Sequence, residues 1–443
     1  MRNGKTVTVI VAVVIVASAF AGVWYVASNQ DTKSDDFTLK GLLLAYGNAN
    51  NDNYLDENDL DLVKDIADGN IQWDRVNHPL ADANTDGNVD QEDVKLIKKF
   101  LGNEEAIMYY RDWNLGVSSV HFPLKGNIAC YGPPTLDMGV IVGFFDRVTH
   151  MLQLQKSIDG LRKDLYPGAA ERIKSVGSST YDYEVVAKSG VKAVIGYPGN
   201  FTESFINSSK VTEAFDCILL PEDISIHGIT WNHTIVTLGV MMGLQSNTSK
   251  YLDYLTDVSA KIERFSESVG EKLSCVIANN PKSPVAVNLE MNGKPSTSGI
   301  VHNMQTLPMR SLHLVEGNSG WASNVEIETI LKANPSVVII TTWGYTPEGT
   351  TVADYQRTID IMGSYFKGCD AYENGRVIGV TYEMYGAVNG ISGLLLLMSM
   401  LWGGSVGSDE GWEAIQDYYD RFTLFKGDVR DAAGFFPLTA AKA

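Results

Sequence analysis

The sequence predicts a protein of the α/β class with two lobes joined by one long helix, preceded by a small all-α module and an uncharged N-terminal segment. Three observations predict this architecture. From about residue 117, short apolar runs alternate with helical stretches. An acidic loop pattern occurs twice in the first quarter of the chain, and one amphipathic stretch in the middle is long enough to cross a whole domain.

The first element is an apolar run near the N-terminus. Val7 to Ala27 contains no charged residue and is preceded by Arg2 and Lys5. A run of this length spans a bilayer, and its basic flank favours the cytoplasmic side. We therefore expect residues 1–30 to be a signal anchor, with the rest of the chain on the extracytoplasmic face of the cell membrane. Small residues such as Ala17 and Ala19 leave open a cleaved signal peptide and a secreted protein.

The second element, residues 31–106, contains two twelve-residue loops with the same spacing of oxygen-bearing residues. Positions 1, 3, 5, 7, 9 and 12 are the ligand positions of a calcium loop, and position 7 uses its backbone carbonyl. Here they are Asn48, Asn50, Asp52, Tyr54, Asp56 and Asp59 in the first loop, and Asp82, Asn84, Asp86, Asn88, Asp90 and Asp93 in the second. We predict two calcium sites, although acidic loops that bind no metal are the alternative reading.

The first loop departs from the calcium pattern at two positions. Asn48 replaces the usual Asp at position 1, and Asn53 stands where Gly normally makes the sharp turn. Asn tolerates the left-handed backbone that this turn requires. Because one anionic ligand is lost, we expect the first site to bind calcium more weakly than the second.

Each loop runs into the same apolar pattern, which predicts a following helix. The pattern is Leu60, Val63 and Ile66 after the first loop, and Val94, Ile97 and Phe100 after the second. Loop and helix together resemble the type I dockerin, over roughly residues 38–103, and the Asp at position 12 of each loop suits that family. The resemblance implies calcium-dependent attachment to a cohesin-domain protein.

The net charge of −18 is concentrated in the same region. Residues 28–106 hold 18 Asp and Glu against 7 Lys and Arg, which gives −11 of the total. Such an acidic surface repels phosphate backbones, so we expect no nucleic-acid partner.

The large domain has six apolar runs of the kind that forms strands buried on both faces of a parallel sheet. They are residues 127–131, 191–196, 217–220, 273–278, 336–340 and 376–380. Between the third and fourth lies the long helix, predicted over residues 249–272; about 22 residues from Ser249 alone span roughly 33 Å. The predicted divisions are thus an N-lobe of residues 107–248, this bridging helix, and a C-lobe of residues 273–443.

The four cysteines leave open one disulfide per lobe or free buried thiols.

Several segments carry a resemblance to the cobalamin- and siderophore-binding proteins of ABC importers, the rigid-helix class of substrate-binding protein. They are the first strand with its loop and helix (128–138), the stretch from Gly143 to Thr149, and two helix-to-strand segments that begin at Glu184 and Glu328. The resemblance implies two Rossmann-like lobes, an ABC permease and ATPase as partners, and a metal chelate as cargo: a ferric siderophore, haem or a corrinoid. It also implies that Glu184 and Glu328 dock on the permease. The alternative is that each Glu only stabilises the first turn of its helix.

The cargo should lie at the carboxyl ends of the strands, where open α/β sheets bind ligands. The loops that leave these ends, and one segment before a helix, are rich in aromatic rings, which suit a large planar ligand. The predicted cargo residues are Tyr131, Tyr197, Trp321, Trp343, Tyr345, Tyr382 and Tyr385, with Arg310 as a polar candidate.

An enzyme is not indicated, because the sequence has no HExxH, GxSxG or phosphate-loop motif. The sequence therefore favours a membrane-tethered substrate-binding protein of an importer. The competing function is a cell-surface assembly or adhesion protein that uses its dockerin-like module, with the large domain no longer engaged in transport.

Overall fold

A computed structural model describes most of the chain after residue 38. The described residues are 39–112, 115–152, 154, 162–177, 181–196, 209–212, 214–219, 231–270, 272–278, 286–287, 290–291, 294–295, 307–312, 325–342, 352–381, 388–402, 408–431 and 438–441. The predicted membrane segment lies outside them. Within these ranges, none of the helices has the length and apolar character needed to cross a bilayer.

The calcium-type loops each lead into a helix, as predicted. These helices are α1 (Glu57–Ala67) and α2 (Gln91–Leu101). Asp56 and Asp90 cap them, and each is part of a capping box with the Asp three residues later. The apolar residues that the repeat placed on one face of each helix are buried.

A short hairpin follows the two helices and covers one edge of the N-lobe. Strands β1 (Ala106–Arg111) and β2 (Val117–Phe122) pair antiparallel. The Tyr110 hydroxyl donates to the Cys217 carbonyl, and the backbone N–H of His121 donates to Asp216 at 3.0 Å. Both partners lie on the last strand of the N-lobe sheet, so the hairpin covers the main chain at that edge.

The N-lobe is built on a five-stranded sheet, all parallel, in the order β5-β4-β3-β6-β7. Its strands are β3 (Asn127–Tyr131), β4 (Val148–Leu152), β5 (Lys174–Ser175), β6 (Val191–Gly196) and β7 (Asp216–Leu219). Its helices are α3 (Gly132–Val142), α4 (Arg162–Leu165), α5 (Ala169–Arg172), α6 (Tyr183–Lys188), α7 (Ser209–Thr212) and α8 (Trp231–Met241), with a 3-10 turn over Phe145–Arg147.

The C-lobe is built on a second sheet, in the order β12-β8-β13-β14-β15, with β9 also paired to β8. Its strands are β8 (Leu273–Ala278), β9 (Ala286–Val287), β12 (Met309–Ser311), β13 (Val337–Thr342), β14 (Val377–Thr381) and β15 (Leu438–Thr439), beside a separate hairpin of β10 (Glu290–Met291) and β11 (Lys294–Pro295). Its helices are α10 (Ile327–Ala333), α11 (Val352–Ser364), α12 (Asp370–Glu373), α13 (Gly390–Trp402) and α14 (Ser408–Phe422), with a 3-10 turn over Val429–Asp431.

All six strands predicted from apolar runs are present, with ends that agree to within two residues. β8, β12, β13 and β14 run parallel, whereas β9 and β15 are antiparallel additions. The predicted α/β class with mainly parallel sheets is therefore confirmed.

The bridging helix is α9 (Gln245–Ser268), which connects the last described strand of one lobe to the first strand of the other. Its 24 residues correspond to about 36 Å. Tyr251 and Tyr254 are fully or almost fully buried and pack against Phe422 of α14, at centroid distances of 5.5 and 5.4 Å. One core cluster includes residues of both lobes and of α9, so the helix braces the lobes against each other.

The cysteines are free thiols rather than disulfides. Cys130 and Cys217 lie two strands apart and belong to clusters on opposite faces of the N-lobe sheet. Cys275 and Cys369 likewise belong to different clusters. Burial raises the pKa of Cys217 and Cys275 to about 12, so both are protonated and unreactive at neutral pH.

Candidate functional site

The second calcium-type loop is organised by its own side chains, which accept backbone N–H groups. Asp82 accepts from the N–H groups of Asp86 and Gly87, at 3.1 and 2.8 Å. Asp86 accepts from the N–H of Asn88 at 2.9 Å. Asp93, at position 12, bonds back to Asn84 and Asp90 through both carboxylate oxygens. The side chains at positions 1, 5 and 12 therefore close the loop on itself.

The first loop repeats the bonds that positions 1, 5 and 12 accept from positions 3, 5, 7 and 9. Asn48 accepts from the N–H of Asp52 at 3.1 Å, and Asp52 accepts from Tyr54 at 2.7 Å. Asp59 bonds back to the N–H groups of Asn50 and Asp56, at 3.0 and 2.9 Å. The two loops thus share most of their internal hydrogen bonds, as their common spacing predicts, and they differ at position 6.

The carboxylates at position 12 are fully buried in both loops. Asp59 and Asp93 are each 0% exposed. Burial raises the pKa of Asp59 to about 7 and also raises the pKa of Asp93. Buried carboxylates are costly without a cation, and hard oxygen donors are the ligands that calcium prefers.

The donor set therefore fits calcium chemically. Asn side chains and a backbone carbonyl supply half of the first set and a third of the second. Among the described residues, no three His, Cys, Asp or Glu side chains are grouped as metal ligands. Occupancy of both loops therefore stays a prediction.

Asn53 does not take the left-handed conformation expected for position 6. Positive φ angles occur instead at position 4 of both loops, 61° at Asn51 and 60° at Thr85, and at Gly87 in the second loop. Asn53 is buried, and its side-chain oxygen accepts the backbone N–H of Leu42 at 2.7 Å. A contact with a residue outside the loop therefore fixes Asn53, and the loop pattern alone does not predict that contact.

Leu42 belongs to a segment that we call the strap, defined as residues 39–46. The Asn48 amide donates to the Leu43 carbonyl at 3.0 Å, and Asn51 accepts the N–H of Lys40 at 3.2 Å. A side chain at Gly41 would overlap the main chain of Asp52. The first loop therefore binds the main chain of the strap.

The other side of the strap binds α8 of the N-lobe. The buried His233 ring donates from Nδ1 to the Leu42 carbonyl at 2.9 Å. The Thr237 hydroxyl accepts the N–H of Leu44 at 3.0 Å. Through these bonds, and through shared apolar packing, the calcium-type module is joined to the N-lobe as one body.

A second connection joins the first loop directly to the bridging helix. Gln245, the first residue of α9, accepts the N–H of Leu55 at 2.8 Å and donates to its carbonyl at 3.3 Å. Leu55 is position 8 of the first loop. No sequence pattern points to Gln245, His233 or Thr237, because their partners lie about 190 residues away along the chain.

The two predicted docking residues occupy equivalent places in the lobes. Glu184 and Glu328 are exposed in the first turns of α6 and α10. Each helix leads into the strand that pairs with the opening strand of its lobe, β6 with β3 and β13 with β8. Glu184 forms an exposed ion pair with Lys188 at 3.5 Å, which contributes little to stability.

The predicted cargo residues fall mostly outside the described residues. This applies to Tyr197, Trp321, Trp343, Tyr345, Tyr382 and Tyr385. Tyr131 is described: it ends β3 at the carboxyl edge of the N-lobe sheet and is 8% exposed. Arg310 is exposed on β12, but it pairs with Ser274 near the beginning of β8. Arg310 therefore lies toward the amino ends of the C-lobe strands, away from the carboxyl ends where cargo is expected. This position does not favour a cargo contact.

No family model matches this sequence, and no curated protein matches it either. Among solved structures, the fold is similar to the TroA-like periplasmic binding protein FepB from Veillonella parvula, with a TM-score of 0.58 and 13% identity, over 75% of this chain and 99% of that one. A periplasmic solute binding protein from the same species gives a TM-score of 0.54 at 14% identity, over 74% and 97% of the two chains. The chain thus has the fold of a periplasmic binding protein, and about a quarter of it lies outside the match.

Proposed function

We propose that this chain is the extracytoplasmic substrate-binding protein of an ABC importer and not an enzyme. The observation that carries the proposal is its architecture: two parallel-sheet lobes fixed to one continuous helix of 24 residues. The solved structures with this fold are named as binding proteins. A stiff connection suits a protein that must present a constant surface to a membrane partner, whether or not cargo is bound.

We propose that the cargo is a metal chelate, namely a ferric siderophore, haem or a corrinoid, held between the lobes. The support is chemical. Aromatic residues follow the carboxyl ends of strands in both lobes, and aromatic faces pack well on planar or partly apolar ligands. Tyr131 stands at this edge in the N-lobe.

Delivery would use the ABC permease, with its ATPase, as the partner. Glu184 and Glu328 carry this part of the proposal, because they are exposed, acidic and placed alike on two lobes of fixed separation. Two carboxylates at a constant spacing can orient the protein on a two-fold partner and accelerate their encounter.

We further propose that the module around α1 and α2 binds calcium and attaches the protein to a cohesin-domain protein, with the N-terminal segment as membrane anchor. The hydrogen-bond pattern that the two loops share supports calcium binding. If attachment were the main role, the large domain would be part of a cell-surface assembly and would bind no chelate.

Binding of chelates by the purified protein tests the cargo proposal. Native mass spectrometry with haemin, cobalamin and a ferric hydroxamate should show one chelate per chain for at least one of the three. Trp343→Ala should then weaken that chelate by about tenfold to a hundredfold if the ring stacks on it. Trp73, on the calcium-type module, gives the matched control, and Trp73→Ala should leave the affinity unchanged. No complex with any chelate would favour the assembly function.

A further inference from the structure

The strap of residues 39–46 lies between two parts of the molecule that are far apart in sequence. On one side are three asparagines of the first loop, Asn48, Asn51 and Asn53, and on the other are His233 and Thr237 of α8. Every one of these bonds involves a backbone group of the strap. The strap is therefore held through its main chain on both sides, and its buried apolar side chains pack in the core as well.

The departures of the first loop from the calcium pattern coincide with these bonds. Asn48 has an amide NH₂ group, which donates to the Leu43 carbonyl, where an Asp would present a second oxygen. Asn53 accepts the N–H of Leu42, which a Gly at position 6 could not do. The second loop has Asp82 and Gly87 at these positions, and the Asp82 carboxylate accepts N–H groups of the loop itself.

From position 3 to position 6 of the first loop, ligand positions and strap-binding positions alternate, and Asn48 at position 1 is both. Asn50 and Asp52, at positions 3 and 5, are predicted ligands, whereas Asn51 and Asn53, at positions 4 and 6, bind the strap. One stretch of main chain therefore carries both functions. A cation that fixes the ligand positions must also fix the strap-binding positions between them.

We propose that the first loop is a calcium-responsive clasp, which holds the strap on α8 and, through Leu55 and Gln245, holds the start of the bridging helix. This inference rests on the proposed calcium binding of the loops. When the ion leaves, the clasp loosens at the strap and at the first turn of α9 together, because both contacts depend on the conformation of one loop. Calcium in the first loop thereby stiffens the chelate-binding domain itself, in addition to any role in attachment.

Hydrogen exchange of the full-length chain, measured by mass spectrometry in calcium and in chelator, tests the clasp. Chelation should accelerate exchange of peptides over residues 39–46 and over the start of α9 by at least about tenfold, as expected when local opening becomes easier. Peptides over β6 and β13 should change far less. Calorimetric titration of the same sample shows whether calcium binds.

Three variants separate the contributions of the first and the second loop to the protection of the strap. Asn53→Ala should accelerate exchange of the strap even in calcium, whereas Asn70→Ala, which removes an exposed amide bonded to Asp65, should not. Asp86→Ala disables the second loop, and calcium should still protect the strap in that variant. If protection is lost there, the effect comes from the second loop and the clasp assignment is wrong.

Calcium binding and the clasp can be disproved by different results. Absence of calcium binding in the calorimetric titration would overturn the calcium proposal and the clasp with it. Calcium binding without any change of exchange at residues 39–46 would overturn the clasp alone and leave the proposed attachment intact.

Discussion

Asn53 shows how a single residue can depart from a sequence pattern for a structural reason. In isolation, an Asn in place of the turn-forming Gly indicates a weakened calcium loop. In the structure its side chain is buried against the strap and accepts the Leu42 N–H. The sequence could identify position 6 as unusual, but the bonding partner belongs to a segment with no recognisable pattern.

Asp86 is the residue at which the calcium prediction is most easily tested. It is exposed, and it bonds only within its own loop among the interactions described, so Asp86→Ala should leave the fold intact. Removing one anionic ligand should lower the calcium affinity of the second loop by at least about tenfold, or ~1.4 kcal/mol. Calorimetry of the full chain measures this change.

Asn50→Ala is the comparison for that experiment. It removes a neutral ligand from the loop that already has fewer anionic groups, so its effect on total calcium binding should be smaller. Equal titrations for wild type and Asp86→Ala would show that the second loop does not bind calcium through this carboxylate.

Among the elements, the strands were the easiest to predict and the strap was the hardest. β13 contains a continuous apolar run, Val337 to Ile340, and β6 is apolar apart from the exposed Lys192, so their burial follows from composition. The strap also contains an apolar run, Leu42 to Leu44, but its length and position give no periodicity from which to infer an element. Its partners on α8 are about 190 residues away, and no local rule connects them.

The contact between the strap and α8 should depend on pH through His233. Burial lowers the pKa of this ring to about 4, against an ordinary value of 6.5 in the unfolded chain. The unfolded chain therefore takes up the proton first, and stability is lost as pH falls through this window. Between pH 7 and pH 5 the loss from this group should be about 2 kcal/mol.

Denaturant unfolding at several pH values measures that loss. His233→Gln keeps a side-chain donor for the Leu42 carbonyl but does not titrate, so its stability should fall less steeply between pH 7 and pH 5. Identical slopes for both proteins would mean that His233 is not the group responsible.

The helices that carry the proposed docking residues, α6 and α10, lead to a prediction about transport. Glu184 and Glu328 are exposed, so changing both to Lys should remove the docking charge without disturbing the lobes. Uptake should be abolished, while chelate affinity stays within about threefold, or ~0.7 kcal/mol. Uptake assays and binding titrations on the same variant measure the two effects.

Glu373 and Glu410 supply a matched control, since both are exposed first-turn acids on other helices. Their double change to Lys alters the net charge equally and should preserve uptake. Loss of chelate binding in the Glu184/Glu328 variant would instead assign these residues to the cleft.

At the scale of the whole molecule, the sequence predicted the parts better than their assembly. The long helix and both lobes followed from periodicity, and the fold agrees with known binding proteins over about three quarters of the chain. The sequence suggested a separate calcium module, whereas the structure joins that module to the N-lobe through His233, Thr237 and a shared core. Long-range contacts of single side chains decide this arrangement, and periodicity does not encode them.

The central claim is that cargo binds between two lobes that α9 holds at a fixed separation. A continuous helix bends only slightly without breaking its hydrogen bonds, and Tyr251 and Tyr254 anchor this one to the C-lobe helix α14. Small-angle scattering of the protein, alone and saturated with a chelate that it binds, tests this claim most directly. We predict a change in radius of gyration of less than about 1 Å. A clearly larger compaction would show that the lobes close around the cargo, and would contradict the rigid bridging helix.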